Sequence, residues 1–324
     1  MSSKPIGILY EHPEWFKPLF AELDRRGLAY ERILAHEHAF DPSESEAPYS
    51  MVVNRVSPSS YLRGHTRAIL YAAAYLDHLE AIGVPVVNGS RAYALEISKA
   101  RQLALLARLG LPHPRSRAAS EPRRLVEAAT ELAYPLIVKP NVGGSGALMR
   151  RFETSDELAT ALQAGELEAL FEIDGTAIVQ EYHPPKDGGI VRVEVLDGEF
   201  LYAIRIMNDP SQGFNLCPAD ICQVPEAEPA SDFEFCAITP AREIEAASPP
   251  GWVVDAVVRM FQSSAIDIGG VEYLESERDG QLYLYDVNAL SNFVGDAPRI
   301  VGFDPFERFV DYLERRAGVG TLAH

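Results

Sequence analysis

Lys139-Pro-Asn-Val-Gly-Gly-Ser-Gly146 follows the apolar run Leu136-Ile137-Val138. A buried strand that ends in a lysine and opens into a glycine-dense turn can hold phosphates. The lysine supplies a point charge, and the glycines let backbone N–H groups approach anionic oxygens with no Cβ in the way. The same pattern also describes a plain hairpin, so its reading depends on the chain around it.

On the N-terminal side, Ile6–Tyr10 reads as a buried strand and 13–26 as a helix, with Pro13 in its first turn and Gly27 as stop signal. Ala29–Leu34 and Met51–Val53 are short strands, Thr66–Ile82 a long helix, and Val84–Val87 the next strand. Strands alternating with helices predict a small parallel sheet, so residues 1–95 form one α/β domain. Ser98 caps a helix reaching Leu109, and Ser120 caps a second over 121–133. Pro135–Lys139 is a strand, with Leu148–Phe152 returning antiparallel after the glycine turn. Thr154-Ser155-Asp156-Glu157 is a capping box that opens another helix. A central domain over 96–178 follows. From Thr176 the pattern turns to antiparallel β, with strands at 176–182, 191–196 and 200–206, a helix at 252–264, and a hairpin of 271–274 with 282–287 about Asp279-Gly280. A helix over 306–313 closes a third domain, 179–324.

The length of 324 residues suits two or three cores, and 47% hydrophobic with 23% charged residues is ordinary for a globular chain. A net charge of −18 argues against nucleic acid or an anionic membrane as partner. The three cysteines (Cys217, Cys222, Cys236) have no Cys-x-x-Cys spacing, which points to reduced thiols. No stretch approaches the ~18 apolar residues of a membrane span, and the short run Ile6–Tyr10 is no signal-peptide core. The expectation is a cytoplasmic protein.

The segment Leu282-Tyr-Leu-Tyr-Asp286-Val-Asn288 is the most informative one downstream. Alternate strand residues share a face, so Asp286 and Asn288 project together. Burying them is costly without compensation, and a hard cation with oxygen ligands supplies it. Folding about Asp279-Gly280 brings Glu272 toward them. A strict two-residue turn pairs Glu272 with Val287, on the wrong face; a three-residue loop pairs it with Asp286 or Asn288. The alternative is that Asp286 and Asn288 begin a loop and Glu272 lies on a solvated edge.

Taken in order, these parts resemble the ATP-grasp superfamily, in the branch of glutathione synthetase, the ribosomal-protein glutamate ligase RimK and the LysX ligases. The resemblance covers nearly the whole chain. It runs through Asn54-Arg55, Ile82–Asn88, Ser98-Lys99 opening a Leu-rich helix, Tyr134–Pro140, Gly143–Gly146, Val179–Tyr182, Val191–Val193, Ala203–Arg205, Gly270–Glu272 and Asp286–Asn288. It implies an α/β fold (α+β ATP-grasp): an N-terminal Rossmann-like pre-ATP-grasp domain, then two α+β subdomains clasping ATP. Lys99 and Lys139 would contact ATP. Gly143, Gly144, Ser145 and Gly146 would close over its β/γ-phosphates, and Gln180, Glu181 and Tyr182 would line the adenine pocket. Glu272, Asp286 and Asn288 would hold Mg²⁺, with Mn²⁺ as the alternative ion, and Asn215 would sit close by. Arg192 and Arg205 would face the phosphoryl-transfer centre. The implied reaction is an ADP-forming carboxylate–amine ligation through an acyl phosphate, on a small acid and amine, one of them an amino acid. A homodimer is a further family-level expectation.

The sequence departs from the family pattern in three places. Asp286 stands where the family usually has glutamate. Ile190 stands where the branch has an aspartate, leaving Asp187 as the nearby group for the ribose. The basic substrate loop is replaced by Asn215–Asp220, within the stretch 207–241 that carries six acidic residues and no lysine or arginine. An acidic acceptor loop favours a cationic amine; a solvated loop explains the same residues. His36-x-His38 reads as a surface pair rather than a metal clip. Arg55, in a Ser-rich loop at a strand end, is a candidate for a substrate carboxylate. Two other readings compete: an ATP-binding module without ligase activity, which the retained charges oppose, and a dinucleotide dehydrogenase. The second fails because the glycine loop lacks Gly-x-Gly-x-x-Gly spacing and does not open the first βαβ unit.

Overall fold

The computed structural model describes residues 4–12, 14–144, 146–207 and 243–318. The expectations for Pro13, Ser145, Asn215, the three cysteines and the acidic stretch from 208 on lie outside these residues.

Three sheets organise the chain. In the first, β1 (Ile6–Tyr10), β2 (Tyr30–Leu34), β3 (Met51–Arg55) and β4 (Val86–Val87) run parallel in the order β2-β1-β3-β4. α1 (Lys17–Arg25) and α2 (Thr66–Ala81) make the crossovers. Every residue of β1 and β3 is buried, which is why these strands read as continuous apolar runs. The connections reverse direction at β1, so a crevice opens beyond the ends of β1 and β3, the usual ligand position of such sheets.

α3 (Ser90–Glu96) and α4 (Lys99–Arg108) lead to the second sheet, and the Ser98 side chain accepts from the Arg101 N–H as expected of a cap. That sheet is antiparallel, ordered β5 (Ser116–Ala119), β8 (Ala177–Glu181), β6 (Leu136–Pro140), β7 (Arg150–Phe152). The boundary expected at 178/179 falls inside β8, which pairs with β5 and β6 along its length. The helix expected over 121–133 is shorter: a 3₁₀ turn at Pro122–Arg124 leads into α5 (Leu125–Ala129), and no side chain caps it. The Thr130 hydroxyl and N–H both bond Glu127 O, an i−3 contact that competes with continuing the helix. α6 (Ser155–Gln163) is capped by Thr154, and Glu157 reaches back to the Glu153 N–H.

The third sheet is antiparallel, ordered β11 (Ile244–Ala246), β10 (Glu199–Met207), β9 (Gly189–Leu196), β12 (Ile268–Glu275), β13 (Leu282–Asn288). α7 (Gly251–Ser264) covers one face through Val253, Val257 and Phe261. The other face shares a core with the first sheet: Ile190, Ile204 and Ile268 pack with Ile8, Val53, Phe16 and with Phe309. Two short C-terminal helices, α8 (Ala297–Val301) and α9 (Pro305–Arg316), follow, and Phe309 belongs to the second.

Candidate active site

The β12–β13 hairpin sets the site. Its turn is longer than expected: Glu275 faces Leu282 and Tyr273 faces Leu284, with Ser276 N–H on Gln281 O at 2.8 Å. The ladder then shifts by one residue at Tyr285, so Glu272 faces Asp286 and Gly270 faces Asn288. A β-bulge, not the loop length alone, therefore delivers the pairing. Leu284 and Val287 go to the α7 side, while Tyr285, Asp286 and Asn288 line the opposite cleft. On the other side of β12, Glu272 faces Arg192 of β9, which completes a row Arg192–Glu272–Asp286 across three strands.

The row is densely bonded. Arg192 Nε donates to Glu194 at 2.6 Å and its Nη1 to Glu272 at 3.3 Å, while Lys99 at the start of α4 donates to Asp286 at 2.5 Å. Burial and the neighbouring Asp286 hold the Glu272 carboxyl above its usual range. Burial also acts to raise Asp286, but Lys99 and Lys139 outweigh it and the net direction is down. The two carboxylates, Glu272 buried and Asp286 part-buried, thus stand side by side with opposite shifts.

The opposite wall comes from the second sheet. Lys139 is buried at the end of β6 and donates to Gln180 Oε1 at 2.8 Å. Burial, helped by the nearby Lys99, pushes its ammonium down to about 7. Glu181 accepts from the Ala133 N–H, and the Tyr182 ring lies 4.3 Å from the Arg151 guanidinium. Gly143 and Gly144 lean on the first domain's 3₁₀ turn, Pro58–Arg63; a Cβ on Gly144 would stand 3.3 Å from Ser59 Cβ. Both walls enclose one cleft of about 1510 Å³, open mouth included, shared by Lys99, Lys139, Gln180, Glu272, Asp286 and Asn288.

Gly143, Gly144, Gly146, Glu181, Tyr182 and Arg192 also line this cleft; Arg205 and Asp187 do not. Arg205 faces Val191 on β9, one residue out of phase with Arg192, and so lies on the opposite face of the sheet. Asp187 is exposed in a turn at φ 55°. Arg55 is fully buried rather than open to a substrate. It sits between the Phe16 and Phe309 rings at 4.9 and 5.6 Å and donates to Ser291 O, and burial pushes it down to about 10. His36 and His38 do not form a pair: His36 stacks on His65 at 3.8 Å and His38 bonds Tyr71 OH at 2.7 Å. Glu11, His36 and His65 approach one another closely, but the Glu11 oxygens already hold Arg63 and His65.

The sequence reading missed Glu96, Tyr285 and Asn292, all lining the cleft. Glu96 is a buried carboxylate that accepts from the Ala289 N–H, and burial raises it to about 7. Its signal was a lone glutamate among the apolar residues of 92–97.

Residues 97–216 match the family model described as RimK-like ATP-grasp domain. The chain is 26% identical over 242 residues to a D-alanine–D-alanine ligase of Pseudomonas putida, covering 72% of this chain and 68% of the relative. It is 25% identical over 288 residues to a probable alpha-L-glutamate ligase 2 of Shewanella amazonensis, covering 85% and 86%. Among solved structures, the D-cycloserine synthetase DcsG superposes with a TM-score of 0.67 at 17% identity, covering 96% of this chain and 99% of that one. The ATP-grasp ligase PsnB, complexed with a phosphomimetic variant of its minimal precursor, Mg and ADP, gives 0.66 at 22% identity, covering 98% and 100%. These two structural likenesses concern the fold.

Proposed function

We propose that this ATP-grasp ligase joins a small carboxylic acid to an amine, with ATP activating the acid as an acyl phosphate and ADP and phosphate released. The observation that carries the reading is the row Arg192–Glu272–Asp286, with Lys99 bonded to Asp286, sharing one cleft with Lys139 of the opposite wall. A carboxylate is a poor electrophile, and transfer of the γ-phosphoryl group gives its oxygen a leaving group. An amine then attacks the carbonyl and phosphate departs. Such chemistry needs positioning and positive charge rather than a side-chain nucleophile.

Lys99 and Lys139, which line the cleft, would take the phosphates, and Gln180, Glu181 and Tyr182 would line the base. Gly143 and Gly144, against the first domain, would belong to the cover that keeps water from the acyl phosphate. Glu272, Asp286 and Asn288 fit Mg²⁺: each offers a hard oxygen ligand, and two are carboxylates paired on adjacent strands, Glu272 buried and Asp286 part-buried. When bound, the ion would supply positive charge to offset that of the phosphate oxygens. Mn²⁺ suits the same set. Arg192, held by Glu194 and Glu272, is the cation for the transferring group.

The relatives' names support an amino acid as one substrate. The acidic composition of 207–241 favours a cationic amine, and the net charge of −18 opposes nucleic acid or an anionic membrane as partner. ADP release with pooled amino acids and small carboxylates, followed by mass spectrometry of the product, tests the proposal. Release that depends on both an acid and an amine is expected. ATP binding without ADP release under every pairing would point instead to a module that has lost ligation.

A further inference from the structure

β13 is the edge of its sheet, yet it carries Asp286 and Asn288. An edge strand presents outward N–H and C=O groups that must find partners if buried. At Val287 the partner is a side chain. The Val287 N–H donates to Gln102 Oε1 at 3.2 Å, and Gln102 Nε2 donates to Val287 O at 2.8 Å. The second Nε2 hydrogen goes to Leu95 O at 2.9 Å. Gln102 is only 2% exposed, and its carboxamide offers the same donor and acceptor as a peptide. It closes the edge as a neighbouring strand would.

Val287 lies between the two outer members of the site. Its own side chain packs with Leu284, Val271 and Phe261, so both flanking side chains must project into the cleft. The Val287 N–H and C=O belong to the peptide units that join it to Asp286 and to Asn288, so holding both fixes the direction of the two side chains together. Gln102 also stands one turn after Lys99 on α4, so one helix face contacts Asp286 and the backbone beside it. The exit of the strand is held separately: Asn88 donates to Ala289 O, Glu96 accepts from Ala289 N–H, and Arg55 donates to Ser291 O. Among the described residues, Gln102 is the side chain that holds the peptide between Asp286 and Asn288.

We propose that Gln102 is a positioning residue for the metal row, acting through the Val287 backbone; the inference rests on the assignment of Asp286 and Asn288 as ligands. The test is calorimetric titration with Mn²⁺·ADP and, separately, with ADP in EDTA, on the wild type, Gln102→Met and Gln102→Asn. The ratio of the two affinities isolates the metal's contribution. It is expected to fall about 10-fold or more in Gln102→Met, as for other groups that orient a ligand, with metal-free ADP affinity little changed. Gln102→Asn keeps a polar amide for folding but is one methylene short, so a smaller fall in the same direction is expected. An unchanged ratio in either folded variant, whatever its melting temperature, overturns the proposal. A wild type whose ADP affinity ignores Mn²⁺ would instead overturn the ligand assignment itself.

Discussion

Glu272 stands opposite Asp286 because the strand bulges at Tyr285, which turns two consecutive side chains, Tyr285 and Asp286, into the same cleft. The bulge thus brings Tyr285 into the cleft beside the facing carboxylates Glu272 and Asp286. Asp286→Asn keeps the shape and removes the charge that meets Lys99 at 2.5 Å. ADP release is expected to drop by at least about 100-fold, the upper end of what even supporting groups around a metal cost. Full activity in that variant would refute the metal row. Melting should also shift downward, because a part-buried lysine is left without its anion.

Two neighbouring glycines of β12 separate fold from chemistry. A Cβ on Gly269 would stand 3.0 Å or less from the Asn288–Ala289 backbone, which cannot yield without moving the end of β13. A Cβ on Gly270 would meet Glu194 Oε1 at 2.7 Å and Arg192 Nε at 2.8 Å, which are side-chain atoms able to shift. Gly269→Ala is therefore expected to lose about 1–3 kcal/mol of stability by overpacking. Gly270→Ala should lose less stability and more turnover, through displacement of Arg192. Denaturant melts beside ADP-release rates check the contrast, and equal effects at both positions would contradict it.

The glycine turn after β6 rests on the first domain rather than on the second sheet alone. Gly144 has room for a Cβ only by pressing on Ser59 at 3.3 Å. Gly144→Val should hold the turn off the Ser59 surface, raising the KM for ATP several-fold. It should also increase ADP released per product formed, since water would reach the proposed acyl phosphate. Product and ADP counted in the same reaction give the coupling ratio. A ratio equal to the wild type's would show that this contact does not govern closure.

The succession of strands and helices and the segments of the site's two walls were legible because their signals are local and strong. Leu136–Lys139 is an apolar run ending in a cation, and Asp286 and Asn288 are polar residues at strand spacing in an apolar segment. The bulge at Tyr285 was not legible, since nothing in Leu-Tyr-Leu-Tyr-Asp distinguishes a shifted ladder from a regular one. Arg205 was misplaced for a related reason. It looks like Arg192 in sequence, but the β9–β10 register sets the two on opposite faces. Arg55 resembled a ligand-binding loop residue; the core that packs Phe16 against Phe309 across nearly the whole chain encloses it. Each miss depends on long-range packing, which periodicity does not encode.

Lys139 makes the site's pH behaviour predictable. Its ammonium titrates at about 7 in the ligand-free protein because burial, and then Lys99, disfavour the charge. An unfolded lysine titrates near 10.4, so between these values the unfolded chain binds the extra proton and stability rises with pH as this group discharges. Nucleotide phosphates favour the charged form, so binding at pH 8 should take up a proton. ATP or ADP affinity should then weaken toward ~10-fold per pH unit above about 7. Calorimetry in buffers of different ionisation enthalpy measures the uptake directly. Lys139→Met should abolish it and, by removing a buried charge, melt higher than the wild type near neutral pH while releasing no ADP. Uptake that persists in Lys139→Met would place the proton on another group and remove Lys139 from the phosphate site's titration.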